Sequence, residues 1–415
     1  MQFLNDFLSG QWTWIVGMLP EAARPYAMPG LAIFIVLNVT LGACSYLILL
    51  ERKLSAWMQD RLGPNRVGPF GLLQPVADML KLLLKEDVIP GHVNKFLFVL
   101  APGISVFTTF LAFAVVPFGP VPKGLTAGDG QFPFIIAPGI DLGIVFIFAI
   151  GSLAVYGIIL GGWASNNKYS ALGCLRASAQ VVSYEIPLGM SVVGLALLCG
   201  TMSIEKILMF QAERGIYGWN IWYQPLACVI FFIAAMAEAQ RLPFDLAECE
   251  QELIGGWHTE YSAMKWGLFF LAEYTHVITI SFLTSILFFG GWHLPFIAEA
   301  SSNYAGVWLV KVGVLLAKVS VVIVIIQMLR WTIPRFRFDQ LMSLAWLCLI
   351  PLAMVNVLMV MIVKQFELNE WWLLPGSAAI FLAAGLMGTQ STKPFSRRVA
   401  APVETDGHHG HARAH

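Results

Sequence analysis

Long apolar segments alternate with short charged segments along most of the chain. A helix needs about 20 apolar residues to cross a bilayer. Nine segments meet that need, at residues 28–50, 96–119, 140–163, 178–200, 220–239, 267–290, 307–329, 343–364 and 371–388. Pro375 and Gly376 interrupt the last of them. The pattern therefore predicts an all-α polytopic membrane protein with eight core transmembrane helices plus an additional ninth.

The predicted spans divide the chain into four regions. Residues 1–27 form an N-terminal outer-side or interfacial segment, and residues 28–364 form the core membrane domain. Residues 365–391 contain the extra transmembrane helix. Residues 392–415 form a histidine-rich tail, and its lack of apolar side chains predicts disorder.

Residues 67–85, after the first span, are too polar to cross a membrane. Apolar side chains recur there at helical spacing, at Leu72, Leu73, Val76, Met79, Leu80, Leu83 and Leu84. Gln74, Asp78, Lys81 and Lys85 take the opposite side. This pattern predicts an amphipathic helix that lies in the plane of the membrane interface. The alternative is a helix that packs on a soluble partner.

Basic residues concentrate in the loops after the odd-numbered spans. Because cytoplasmic loops are enriched in Lys and Arg, this asymmetry predicts that the N-terminus lies outside and that the odd-numbered spans run inward. In span 3, Gly157 and Gly161 are spaced for close helix packing.

Composition excludes several other classes of function. The chain is 58% apolar and only 12% charged, with a formal net charge of zero, so it gives no sign of nucleic-acid binding. The six cysteines are scattered, without a CxxC pair, and no nucleotide-binding glycine motif is present. We therefore predict no metal site here, and any redox centre would belong to a partner.

Residues 238–273 are strongly acidic and lie between two very apolar segments. Their acids are Glu238, Asp245, Glu248, Glu250, Glu252, Glu260 and Glu273. A helix over residues 243–254 would place Asp245, Glu248 and Glu252 on one face. Such close like charges raise the pKa of at least one carboxyl group, so the cluster could hold and pass protons. The alternative is a solvated acidic loop.

Ionisable side chains also occur inside the predicted spans, where they are costly and often functional. Glu185 lies near the middle of span 4, Glu238 ends span 5 and Glu273 lies in span 6. These acids favour a proton or cation path from the inner surface toward mid-membrane. Lys318 in span 7 would be a counter-charge that tunes the acids. The alternative is a set of satisfied polar contacts between packed helices.

Four loops resemble those of the H-type membrane subunit of bacterial respiratory complex I, the counterpart of mitochondrial NADH dehydrogenase subunit 1. The blocks that carry the resemblance are Glu51-Arg-Lys, Gln59-Asp-Arg-Leu-Gly-Pro-Asn65, Gly71-Leu-Leu-Gln-Pro-Val-Ala-Asp78, Arg176-Ala-Ser-Ala-Gln180, Ser183-Tyr-Glu185, Arg241-Leu-Pro-Phe-Asp-Leu-Ala-Glu248, Glu260-Tyr-Ser262, Ala272-Glu-Tyr274 and Pro334-Arg-Phe-Arg-Phe-Asp-Gln-Leu-Met342. All four loops fall on the side that the charge pattern places inside. The sequence departs from the family pattern at Ala263 and Leu347.

The resemblance implies a membrane subunit of a proton-translocating NADH:quinone oxidoreductase in the bacterial cytoplasmic membrane. It implies a quinone path beside Arg52, Asp78, Arg335 and Arg337, with ubiquinone or menaquinone as substrate. The proton-coupling residues that it implies are Glu185, Glu238, Asp245, Glu248, Glu250, Glu252, Glu260, Glu273 and Lys318. FMN and iron–sulfur clusters would lie only in partner subunits. The partners would be the other membrane subunits and the quinone-site subunits of the hydrophilic arm.

Three other functions remain compatible with the sequence. A related subunit of a membrane-bound hydrogenase, or of another donor-linked complex, would look similar because the electron donor binds elsewhere. A stand-alone ion transporter would show repeat symmetry between its halves. A structural anchor for the hydrophilic arm would not need its intramembrane acids.

Overall fold

The computed structural model describes residues 24–120, 135–245, 255–295, 297–298 and 307–390. Within these ranges the chain is helical, and its only β-pairing is a single bridge between Leu294 and Ala298. The principal helices are α1 (Arg24–Met58), α2 (Gln74–Leu84), α3 (Lys95–Leu111), α4 (Gly143–Ala164), α5 (Lys168–Cys199), α6 (Ile204–Glu213), α7 (Pro225–Glu238), α8 (Ala263–Phe288), α9 (Val307–Thr332), α10 (Phe338–Gln365) and α11 (Leu373–Gln390).

The membrane architecture predicted from the apolar pattern is confirmed. Seven helices are long and apolar enough to cross a membrane, and residues 225–238 and 370–386 form two shorter apolar helices. The fifth predicted span, 220–239, differs in detail because its helix begins only at Pro225. Gln224 before it has a non-helical backbone (φ −134°, ψ 62°), as the steric demand of a following proline favours.

Helix α8 runs through the middle of the bundle, and most of its side chains are buried. It packs against α1, α3, α7 and α9. The helix contains several buried hydroxyl residues, which donate hydrogen bonds to carbonyl oxygens four residues earlier, as Thr279 does to Thr275 at 3.0 Å and Ser281 to Val277 at 2.8 Å. These bonds satisfy the hydroxyl groups locally, so the helix can lie in an apolar core.

Helix α2 confirms the amphipathic helix predicted after the first span. It contacts α1 and α8, yet none of its residues is buried. Leu80, Leu83 and Leu84 are each at least half exposed. An amphipathic helix that lies flat at a membrane interface needs such an exposed apolar face.

The helix predicted over residues 243–254 does not begin at Pro243, because residues 241–245 form an irregular turn. A side chain of α5 and a backbone N–H of the segment before α10 donate hydrogen bonds to the carbonyl groups of this turn. Gln180 Nε2 donates to Phe244 O at 2.8 Å, and Phe336 N donates to Pro243 O at 3.3 Å. Residues 246–254, which include Glu248, Glu250 and Glu252, lie outside the described residues.

Helices α3 and α4 approach closely at Gly157, as its spacing from Gly161 predicted. A Cβ atom at Gly157 would lie 2.0 Å from Ser105 Oγ and 3.1 Å from Ala101 O, both on α3. Gly161 approaches the ring of Phe269 instead, at 3.3 Å. The two glycines therefore bring α4 against two different helices.

We expect Gly157→Ala to destabilise the fold because the added methyl group overlaps atoms of α3. Overpacking of this kind costs about 1–3 kcal/mol. The measurement is the midpoint of thermal denaturation of the purified protein in detergent, which should fall. Gly103→Ala is the matched control, since a Cβ atom there meets nothing within 4 Å. Equal midpoints for the two variants would contradict this account of the α3–α4 contact.

Candidate functional site

The guanidinium of Arg241 lies at the centre of a buried network of charged groups. Its side chain is only 7% exposed, and its Nε atom lies 2.8 Å from Glu273 Oε1. A second carboxylate oxygen, Glu51 Oε2, lies 3.8 Å from its NH1 atom. The centre of the guanidinium also lies 3.9 Å from the ring centroid of Tyr274. One cation is thus shared by two carboxylates and an aromatic face.

Glu51 connects this network to two more helices. It accepts a hydrogen bond of 2.7 Å from the hydroxyl of Tyr274 and another from Arg330 NH1. Glu51 lies on α1, Tyr274 on α8 and Arg330 on α9. Buried charges are stable when they are paired and hydrogen-bonded, so these contacts fix the three helices relative to one another at this level.

The network continues toward the start of α10. Arg335 NH2 lies 3.5 Å from Asp245 Oδ2, and both residues are in irregular segments. Arg337 is exposed and immediately precedes α10, where its backbone N–H donates to Gln340 Oε1 at 3.0 Å. The two arginines predicted beside a quinone path therefore lie close together in sequence, but only Arg335 has a described contact with the acids.

An open groove lies beside the network, between α1, α2 and α8. It has a volume of about 230 Å³ and is lined mainly by apolar side chains. Arg52 NH1 lies in its wall and forms a 2.8 Å ion pair with Asp78 Oδ2. Tyr274 also lines the groove, so its hydroxyl links the groove to Glu51. The predicted residues Arg52 and Asp78 thus lie at the mouth of an apolar site that adjoins the buried charges.

Two small cavities lie beside Glu273. The first, of about 70 Å³, is lined by Glu273, His276 and Glu238 together with polar and apolar side chains. The second, of about 20 Å³, is also lined by His276 and Glu238. His276 Nε2 lies 3.5 Å from Glu238 Oε1. The side chains of Glu238 and Glu273 are only 10% and 13% exposed, so these acids lie inside the bundle.

Glu185 and Glu238 both lie beside the same turn of α4. Ser152 of α4 donates a hydrogen bond to the carboxylate of Glu185. The neighbouring Gly151 approaches Glu238 so closely that a Cβ atom there would lie 3.3 Å from Glu238 Oε1. Glu185 itself lines a groove of about 330 Å³ between α4 and α5. The structure therefore places the acids of spans 4, 5 and 6 in one region of the bundle.

Two predicted residues lie apart from this line of charges. Glu260 accepts a 2.8 Å hydrogen bond from Asn167 Nδ2, where the loop after α4 meets the segment before α8. Lys318 Nζ donates to the carbonyl groups of Phe289 and His293, at 2.7 and 2.6 Å. It also lies 4.4 Å from the ring centroid of Trp219. The described partners of Lys318 are thus the carbonyls at the end of α8 and an aromatic ring, rather than the acids.

Sequence reasoning gave no role to five residues that hold the site together, namely Glu51, Tyr274, His276, Arg241 and Arg330. Four of them lie near the ends of spans or within the sequence blocks that carry the family resemblance, where charged residues are common. Glu51 and Arg330 are 279 positions apart, and only the packing of α1 against α9 brings them together. His276 follows Glu273 by three residues, and this helical spacing was the one signal available in the sequence.

Comparison with known proteins identifies relatives over most of the chain. A family model described as NADH dehydrogenase matches residues 31–361. A protein of Cytophaga hutchinsonii, named as an H-type subunit of NADH-quinone oxidoreductase, is 45% identical over 323 residues, which are 78% of this chain and 92% of the relative. A protein of Geobacter metallireducens with the same name is 46% identical over 326 residues, 79% of this chain and 93% of the relative. The family match includes the charged network and the acids but ends before α11.

We expect Arg241→Gln to destabilise the protein strongly, because it leaves Glu51 and Glu273 buried with less compensating charge. Removal of one partner of a buried ion pair costs about 3–5 kcal/mol. The midpoint of thermal denaturation in detergent should fall, and Glu273→Gln added to Arg241→Gln should restore part of the loss. Lys206→Gln is the control, since it breaks the exposed 2.6 Å pair with Asp141 and should change little. If Arg241→Gln is as stable as Lys206→Gln, the network is not a structural requirement.

Proposed function

The chain belongs to the NADH dehydrogenase family, and from this membership we propose that it is the membrane subunit in which an NADH:quinone oxidoreductase couples quinone reduction to proton translocation. It is a multi-pass membrane protein. The other subunits of that complex are its partners and contain the FMN and the iron–sulfur clusters. We infer that it lies in a bacterial cytoplasmic membrane with its N-terminus outside, as the distribution of basic residues favours.

One observation carries the proposal. Four pairs of ionisable side chains lie in succession between an open apolar groove and the interior of the helix bundle. In order they are the ion pair Arg52–Asp78, the hydrogen bond Tyr274–Glu51, the bridge Arg241–Glu273 and the pair His276–Glu238. A protein that only anchored another subunit would have no need for charges at this cost.

The groove suits a quinone because it combines an apolar wall with an ion pair at its mouth. The apolar residues of α1, α2 and α8 can hold an isoprenoid tail. Arg52, Asp78 and, farther along, Arg335 and Arg337 line the path of the headgroup in this proposal. Reduction adds two electrons, delivered by a partner's iron–sulfur cluster, and two protons to form the quinol. The substrate is a ubiquinone or a menaquinone.

Coupling depends on the way in which Arg241 shares its charge between two carboxylates. A change of charge in the groove alters the hydrogen bond from Tyr274 to Glu51, and thereby the balance of Arg241 between Glu51 and Glu273. A carboxylate that loses part of its counter-charge in a low dielectric binds a proton more readily. Arg241 can interact more strongly with Glu51 or more strongly with Glu273. The relative free energies of these two arrangements depend on whether the quinone is oxidised or reduced, so reduction shifts their populations. In this way chemistry in the groove reaches Glu273 without a bound proton carrier.

From Glu273 the proposed path continues through Glu238 toward Glu185. We assign Asp245, Glu260, Glu248, Glu250 and Glu252 to proton coupling as well, of which Glu248, Glu250 and Glu252 lie outside the described residues. We assign Lys318 a different part, in which it neutralises the carbonyl end of α8 and holds that helix in place. The proton path is therefore formed by carboxylates, with Arg241 as its adjustable counter-charge.

Glu238→Gln tests the path in the whole complex reconstituted into sealed vesicles. The variant should retain NADH oxidation with a water-soluble electron acceptor, since that reaction uses only partner subunits. Proton translocation driven by NADH and quinone should fall by about two orders of magnitude, in line with the loss of an acid–base group. Glu367→Gln, which changes an exposed carboxylate between α10 and α11, should translocate protons normally.

Two results would contradict the proposed function. If Glu238→Gln and Glu185→Gln both pump at the rate of the unchanged protein, the acids do not form the path. If the complex reduces quinone with hydrogen but not with NADH, the chain serves a different electron donor.

Ser45→Trp tests the groove as the quinone's entry. Ser45 lines the groove, and an indole there should obstruct it. We expect KM to rise more for a long-chain quinone than for a short-chain analogue, because only the long tail must occupy the groove. Ser320→Trp is a matched control, since both hydroxyls donate to the leucine carbonyl four residues earlier and Ser320 lies on the exposed face of α9. If the KM for the long-chain quinone is the same in the unchanged protein, in Ser45→Trp and in Ser320→Trp, the quinone does not enter through this groove.

A further inference from the structure

We propose that His276 transfers protons between Glu273 and Glu238, so that the path through the membrane interior depends on an imidazole as well as on carboxylates. The inference rests on the proposed function, since it names a further residue of the same path. It stands on the position of His276, on its two neighbouring cavities and on the geometry of its contact with Glu238.

His276 lies between the two acids along the cavities. It follows Glu273 by three residues on α8, and residues at this spacing are neighbours on one helix face. Glu273 lines only the first cavity, whereas His276 and Glu238 line both cavities. The imidazole therefore offers a titratable group on a route from Glu273 through the first cavity to the second.

The contact between His276 and Glu238 suits transfer better than a permanent ion pair. The 3.5 Å between Nε2 and Oε1 exceeds the usual hydrogen-bond distance of about 2.7–3.2 Å. Nε2 is buried and forms no hydrogen bond within the described structure. A small rotation of either side chain, or one water molecule in the cavity, would close the gap. The pair can thus open and close, as a transfer step requires.

The groups that face His276 come from five helices. Glu238 faces His276 from α7. Glu273 lies on α8, the same helix as His276, and is paired with Arg241 from the turn after α7. Around the same cavities, α3 contributes the uncharged Ser105 and Thr109, and α4 and α5 contribute small or apolar residues. Glu185, on α5, lies near enough to Glu238 for the two carboxyl groups to interact. The imidazole is therefore flanked by a carboxylate on each side.

The transfer balances without any other reactant. The imidazole takes a proton from the carboxylic acid of Glu273 on one ring nitrogen. It then releases the proton of the other nitrogen to the carboxylate of Glu238. No electron moves, and the total charge of the three groups stays constant. Histidine suits this step because one ring nitrogen can accept a proton while the other releases one.

His276→Gln in the reconstituted complex tests the proposal. Glutamine can hold the cavity open and form hydrogen bonds, but it cannot titrate. We expect proton translocation to fall by about two orders of magnitude, with NADH oxidation by a water-soluble acceptor unchanged. The decisive readout is the pH profile of proton translocation, whose shape should change because glutamine, unlike an imidazole, cannot bind and release a proton.

His258→Gln is the matched control. His258 is also buried, but burial lowers its pKa to about 4, so it is uncharged at neutral pH and its replacement should not alter the pH profile. Its ring packs edge-on against Trp257 at 5.3 Å, outside the contact between the two acids. A loss of activity from disturbed packing alone should therefore appear in both histidine variants.

Each outcome separates the inference from the proposed function. If His276→Gln keeps the pH profile of the unchanged protein while Glu238→Gln stops pumping, water carries the proton and the role of His276 is wrong, although the path stands. If neither variant affects pumping, both proposals fail. If His276→Gln slows pumping equally at every pH, as His258→Gln would, the role is structural and the proposal is overturned.

Discussion

The burial of one guanidinium between two carboxylates is the interaction on which the arrangement of the site depends. Arg241 lies 2.8 Å from Glu273 and 3.8 Å from Glu51, and all three side chains are largely buried. A buried charge without a partner costs several kcal/mol, so none of these groups can leave the network without a replacement. Because they belong to α1, to α8 and to the turn after α7, the network fixes those elements together beside the groove. A group held by two competing partners can also shift between them, which makes it suitable as a switch.

The packing of the bundle explains why the acids of three predicted spans meet. Gly151 and Gly157 let α4 lie close to its neighbours, so that Glu238 and Glu185 both reach the turn of α4 that contains Gly151 and Ser152. Helix α8 carries its own hydroxyl-to-carbonyl hydrogen bonds and can therefore remain buried beside two cavities. Its end is held by Lys318, which binds the carbonyl groups of Phe289 and His293. Because these hydroxyl and carbonyl groups form hydrogen bonds locally, they do not compete for the buried charged side chains, which interact with one another.

Much of the fold could be predicted from the sequence, since apolar length and the amphipathic pattern of residues 67–85 depend only on local composition. The site was predicted less completely. Glu185, Glu238 and Glu273 stood out because charges are rare inside apolar spans. Glu51 and Arg330 did not, because charges at the ends of spans are common and their pairing depends on the contact between α1 and α9. The expected helix from Pro243 was wrong in its first residues, where Gln180 and Phe336 bind the carbonyls of the turn instead. The described contacts of Lys318 likewise depend on tertiary packing that composition does not reveal.

Reduction of the quinone in the groove should change the protonation of carboxyl groups inside the bundle. An infrared difference spectrum of the reconstituted complex, recorded as the quinone is reduced, measures this change directly. We expect a carboxyl C=O band that appears or shifts on reduction and is absent from the spectrum of Glu238→Gln. An identical band in that variant would show that Glu238 does not change its protonation. A spectrum without any carboxyl band would contradict coupling through these acids altogether.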